Sequence, residues 1–157
     1  MKMRNIRVII PVLLLVFFYA SIVFAQGKMM KLKDGSVLVV SKLNFNDALG
    51  KIEEAISKNN LIIMDDINGQ AMIKMAGKKI PPMHQIIFFH PKYMREVYES
   101  NPMAGIVVPL KIIIMERNNK TIIRYFKPST LFKPYKGTKK VAEELDKLMN
   151  NIIKTVK

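Results

Sequence analysis

From Ser36 onward the chain reads as short apolar runs separated by polar, turn-forming residues. Ser36 to Leu43 (SVLVVSKL) is β-branched and apolar and predicts a first strand. Asn44 reads as a helix N-cap, with Asp47 in the first turn, where the helix dipole favours an acid. Phe45, Ala48, Leu49, Ile52 and Ile56 then recur at helical spacing and give one apolar stripe. Asn59-Asn60 ends that helix, since Asn tolerates the left-handed conformation of a C-cap. Leu61 to Asp65 predicts the second strand. Asp66 to Ile80 is ambiguous; Ala71 to Ala76 can make a short helix before Pro81-Pro82 stops it. Met83 to His90 predicts the third strand, and Pro91 suits the first position of a helix running to about Ser100. Asn101-Pro102 closes that helix.

Gly105 to Arg117 and Thr121 to Phe126 predict strands four and five. Asn118-Asn119 suits a tight hairpin between them, and Pro109 a bulge or a strand start. A last helix, about Lys139 to Lys154 with Thr138 as its cap, has the stripe Val141, Leu145, Leu148, Met149, Ile152 and Val156. Glu143 and Lys147 form an exposed pair on it. Asp34-Gly35 is a turn signal, so Met29 to Lys33 can add a short extra strand. The pattern predicts an α+β two-layer domain: an about five-stranded, largely antiparallel sheet packed with helices, ending in an amphipathic helix.

A two-residue loop at Asn118-Asn119 fixes the register of its hairpin. Ile113 then faces Arg124, Met115 faces Ile122 and Lys111 faces Phe126 on one side. On the other side Ile114 meets Ile123 and Ile112 meets Tyr125. Both sets are largely apolar, whereas a sheet with one solvated face alternates apolar with polar. Something is therefore expected to cover the second face: a partner subunit, the C-terminal helix or a bound apolar ligand. A symmetric dimer is the preferred expectation.

Residues 1 to 25 have the three parts of an export signal: basic Lys2, Arg4 and Arg7, an uncharged stretch from Val8 to Phe24, and Val23-Phe24-Ala25. The expected organisation is a signal peptide cleaved after Ala25, a flexible leader over residues 26–34 and one domain over residues 35–157. The product would be periplasmic or secreted; an uncleaved membrane anchor is the alternative. No cysteine occurs, which excludes disulfides, thiol catalysis and a lipidated N-terminal cysteine. The net charge of +14 suits either an anionic partner, such as a membrane surface, or plain solubility. The basic run Lys133 to Lys140 has the same two readings, a weak membrane contact or a solvated linker. Nucleic acid is not expected: the basic residues lack the aromatic interleaving of a single-strand binder.

Several segments in order also resemble a known family. The helix FNDALGKIEEAI follows the first strand, and Phe89-His90-Pro91-Lys92 ends a strand in a helix-starting proline. Asn101-Pro102, the run Gly105 to Lys111, Tyr125-Phe126-Lys127-Pro128 and Leu131 follow. From about Ser36 to Ile153 the chain resembles the domain of unknown function 302 family. The resemblance implies a compact α+β fold that tends to pair into dimers, and implies no reaction. His90 stands where similar members usually have Asn, and Asn59-Asn60 replaces a usual Gly. Cysteines that some members carry near Phe89 and Leu110 are missing, so no thiol role carries over.

Candidate chemistry is sparse. His84 and His90, on one face of one strand, are about 20 Å apart at strand rise, too far to share an ion within one chain. Twelve Met residues, with Met72 and Met75 on one helical face and Met83-His84 after Pro82, raise a copper hypothesis. Met64, Met115 and Met149 instead sit at apolar-periodic positions and read as core. The adjacent acids Asp65-Asp66 and Glu53-Glu54 do not face each other as acid–base hydrolysis needs. His90, ahead of Pro91, reads as an N-cap where an anion can bind with help from Lys92 or Arg95, or as a plain cap. The candidate ligand-binding residues are His90, Lys92, Arg95, Lys111, Arg124 and Tyr125. No catalytic residue, metal ligand or cofactor is assigned. The expected function is a small, exported, non-enzymatic binding or accessory protein for an anionic or apolar ligand. The alternatives are an enzyme using a sheet-face or dimer-interface pocket, and a metal or redox accessory module.

Overall fold

Asn118 and Asn119 take φ of 53° and 56°, the paired left-handed conformation of a two-residue hairpin turn. They join β5 (Leu110–Arg117) to β6 (Lys120–Phe126) in the expected register, with Ile112 opposite Tyr125 and Ile113 opposite Arg124. The computed structural model describes residues 27–157, so the signal peptide and its cleavage lie outside the described residues. Around this hairpin stand β1 (Met29–Lys31), β2 (Ser36–Val40), β3 (Ile62–Asn68) and β4 (Met83–Phe89). The sheet order is β1-β2-β6-β5-β4-β3, antiparallel at every pairing.

The fold is α+β, with a six-stranded sheet rather than five. The sixth strand is β1, built from part of the expected leader, so the extra strand foreseen at Met29 to Lys33 is present.

Helices α1 (Phe45–Lys58), α3 (Pro91–Ser100) and α5 (Lys139–Lys154) pack together, and α1 lies against β3, β5 and β6. Val37, Val39, Ile86, Phe88, Ile112, Ile114 and Ile123 project from the sheet into this layer and are buried. Ile52 and Ile56 of α1 meet them, with Leu145, Met149 and Ile152 of α5. Burying apolar surface of this kind contributes roughly 25 cal/mol per Å². The expected stripe on α5 is buried except for Leu148, which is half-buried, and Ala142 and Ile153 join it. The short helices α2 (Gly69–Met75) and α4 (Pro128–Leu131) close connections.

Several expectations need correction. β3 runs on to Asn68, beyond the expected Asp65, and α2 starts at Gly69. Residues Pro102–Val107 form a 3₁₀ helix, so the fourth strand starts at Leu110 and Pro109 precedes it. Thr138 stands at the N-cap of α5 without a capping bond; its buried hydroxyl donates to the carbonyls of Phe132 and Tyr135 instead. Glu143 pairs with Lys139 at 3.9 Å, and among the described residues no ion pair joins it to Lys147. Met149 is core, but Met115 is half-buried on the other sheet face and Met64 is 61 % exposed on the edge strand β3.

Candidate functional site

The sheet face away from the three helices carries Leu38, Arg124, Ile113 and Gln85 in one cross-strand row. Lys111 lies beside Ile87 in the next row, and Phe126 beside Ser36. Within one chain this face is not covered: Ile113, Met115 and Ile122 are half-buried and Phe126 is 40 % exposed. Its end near Ser36 and Lys111 is hollowed into a cavity of 340 Å³. Ile113, Met115 and Phe126 supply apolar wall, and Val107, Pro109 and Leu131 close the rim.

A turn brings the first charged group. Gly35 N donates to Leu32 O at 3.0 Å, and Leu32 N to Ser36 O at 2.7 Å, with Gly35 at φ +83°. That hairpin geometry needs a left-handed residue after the turn, which glycine supplies without strain. Asp34 is thereby held over the cavity end. Its carboxylate accepts the Ser36 hydroxyl at 2.7 Å and the Ser36 amide at 3.0 Å. Arg124 Nε donates to Ser36 Oγ at 2.9 Å, and its Nη2 donates to Asp34. The Ser36 hydroxyl and amide, and then Arg124, hold the Asp34 carboxyl below the usual carboxylate range. The Lys111 side chain is exposed, and its ammonium makes no hydrogen bond or ion pair among the described residues. The cavity therefore holds two cations against one carboxylate.

Three of the six expected ligand residues thus meet here, and they are not equivalent. Lys111 and Arg124 point to the cavity face. Tyr125 alternates away from Arg124 and is 3 % exposed, bordering the cavity from the helix side. Its hydroxyl donates to Met29 Sδ at 3.7 Å. Burial, and then the Asp146 charge, push its phenol up to about 12, so it is neutral at ordinary pH.

The other three residues lie on α3 or at its N-cap, and none of them lines this cavity. His90 is not part of β4, as expected, but is the N-cap of α3, where Nδ1 accepts the Lys92 amide at 3.0 Å. The imidazole itself satisfies the donor an anion would have used. Lys92 lies over the Tyr93 ring at 5.0 Å and 3.6 Å from Glu96; Arg95 stands 3.7 Å from Glu99. The helix start is capped by its own side chain, and its cations are shared with acids one turn on.

Two arrangements escaped the sequence reading. Asp34, Ser36 and Arg124 converge through strand pairing, hinted at only by the Asp34-Gly35 turn. His84 Nδ1 lies 2.9 and 3.0 Å from the two Asp66 oxygens, with the ring against Phe45 at 5.8 Å. Pairing of Asn68 with His84 brings Asp66 close, and that becomes visible once β3 is carried past Asp65. Among the described residues no three His, Asp or Glu side chains gather as a metal site. No described helix is long and apolar enough to cross a membrane.

A six-stranded antiparallel sheet with helices on one face and an open apolar cavity on the other defines a two-layer α+β domain with a sheet-face pocket. The chain belongs to the family described as Domain of unknown function DUF302, whose model matches residues 37–156. Its structure resembles the crystal structure of an uncharacterized conserved DUF302 protein from Bacillus stearothermophilus, with a TM-score of 0.71. The two share 18% identity over 78% of this chain and 98% of that one, a likeness of fold. No curated protein matches the chain.

Proposed function

We propose that this is an exported, non-enzymatic binding protein that holds a small ligand in the cavity on the open sheet face. The observation that carries the reading is the cavity itself: 340 Å³, apolar in wall and rim, with a few convergent polar groups. That combination is the ordinary form of a small-molecule site. Binding is favoured over catalysis by the state of the polar groups. The Ser36 hydroxyl already donates to Asp34 and accepts from Arg124, and no imidazole lines the cavity to activate it. Export rests on the basic–apolar–small pattern of residues 1 to 25.

A second copy of the chain is the other expected partner. Leu38 and Ile122 extend the half-buried apolar surface beyond the cavity, which favours a dimer through this face with the cavity at its border. Weak contact with an anionic membrane would use Lys133 and Lys136, between α4 and α5, with Lys139 and Lys140 in the first turn of α5, all exposed.

Native mass spectrometry of the exported product tests the reading. The expected spectrum shows a chain without residues 1 to 25, carrying a small molecule that a Met115→Glu variant fails to retain. A chemical conversion of the retained compound by the purified protein would replace binding with catalysis.

A further inference from the structure

Resting on that binding reading, we infer that the ligand is an amphiphile with a flexible apolar body and one anionic end, a medium-chain carboxylate in chemical class. Three observations carry this. The wall and rim are built from Ile113, Met115, Phe126, Val107 and Leu131, which offer an apolar body contact but no direction. The two cations are not equally available. Arg124 has its Nε on the Ser36 hydroxyl and its Nη2 on Asp34, so its charge is already paired with a carboxylate the protein carries itself. Lys111 lies on the same face beside Ile87, with no partner among the described residues.

One positive charge at the cavity is therefore uncompensated, beside apolar surface that screens it less than open water does. A cationic ligand meets net repulsion. A neutral apolar ligand gains the wall but leaves Lys111 unpaired. A monoanion with an apolar tail satisfies both, and a compact ammonium on a flexible stem suits a carboxylate end. Asp34 is the resident competitor. It takes Nη2 of Arg124, while Ser36 takes Nε, and so leaves Lys111 as the cation with no acid of the protein on it. Asn in its place keeps an oxygen for the Ser36 amide, so the turn survives while the negative charge goes.

The test uses the mature chain and three probes of equal length, dodecanoate, dodecanol and dodecyltrimethylammonium, with calorimetric Kd values. Dodecanoate is expected to bind at least about tenfold more tightly than dodecanol, with the ammonium weakest. Lys111→Met should bring dodecanoate down to the dodecanol value, while Lys92→Met on α3 leaves the preference intact. Asp34→Asn should tighten dodecanoate by a few-fold and leave dodecanol unchanged. Equal binding of alcohol and carboxylate, or a preference that survives Lys111→Met, overturns the ligand class but not the cavity's role. Weaker dodecanoate binding in Asp34→Asn overturns the competitor role of Asp34. Silence of all three probes, including with a chain held monomeric, overturns the binding reading itself.

Discussion

Tyr125 stands between Arg124 and Phe126, which face the cavity, and turns its own ring into the helix layer. Its phenol, raised by burial and then by Asp146, ionises at about 12 in the folded chain. An unfolded tyrosine loses its proton near pH 10. Between those values the folded state holds the extra proton, so stability is full below about pH 10 and falls as pH rises toward 12. Tyr125→Phe removes that component, worth on the order of 2 kcal/mol across the window. At pH 7 the same variant should cost less than about 1 kcal/mol, because among the described residues the hydroxyl is partnered by the Met29 thioether alone. Urea unfolding of both chains at pH 7, 10 and 11.5 checks this; parallel pH profiles would refute it. At this scale the sequence was informative where the chemistry is local. Asn44 accepts the Asp47 amide at 2.9 Å, His90 caps the helix that Pro91 starts, and Asn60 takes φ 59° at the first helix end. Each of these bonds spans a few residues, so the pattern contains both partners. Asp34 with Arg124, and Asp66 with His84, join residues far apart in the chain and wait on strand register.

At the scale of elements, the approach to α5 depends on one glycine. Gly137 has φ +88°, and a Cβ there would sit 2.9 Å from the Ser100 carbonyl oxygen at the end of α3. Left-handed strain and a backbone contact add, so Gly137→Ala should destabilise the domain by about 1–3 kcal/mol. Chemical denaturation measures it, and an unchanged midpoint would mean that the α3 end moves aside freely. The elements the sequence misplaced have a shared cause. Pro102–Val107 and the residues after it are apolar without interruption, and such a run does not distinguish a strand from a helix by period. The structure resolves the run by burial: Ala104 and Val108 enter the core, whereas Met103 and Ile106, three apart on the 3₁₀ turn, are 76 % and 83 % exposed. The second strand was cut short because Asp65-Asp66 interrupts its apolar run, although its pairing with β4 continues to Asn68.

At the scale of the whole molecule, the paired registers of β5 and β6 were legible because a two-residue turn leaves no freedom. That both sheet faces are apolar was legible for the same reason. What occupies the second face was not, since a single chain records a surface but not its partner. Pairing through this face predicts that the domain sediments as a dimer at micromolar concentration. Leu38→Glu, beside Arg124 and outside the cavity lining, should shift it toward monomer without unfolding it. A wild-type chain that sediments as a monomer would leave the cavity as the sole claim on this face.

The two ends of the sheet have a different bearing, on how the protein behaves when concentrated. β1 is three residues long, and among the described residues β3 has no strand on its outer side. Ile62, 52 % exposed, and Met64 make that rim adhesive, and open backbone donors there invite another chain to add as a further strand. The pairing of β3 with β4 shifts between Ile63 and Asp65, and the acids Asp65-Asp66 follow at once. A kinked rim carrying acids is a poor template for stacking, so Asp65 and Asp66 are expected to guard against fibre growth. Asp65→Val should leave the monomer fold intact and yet raise light scattering during concentration, with β-rich aggregates as the product; a variant as soluble as the parent would place that protection elsewhere.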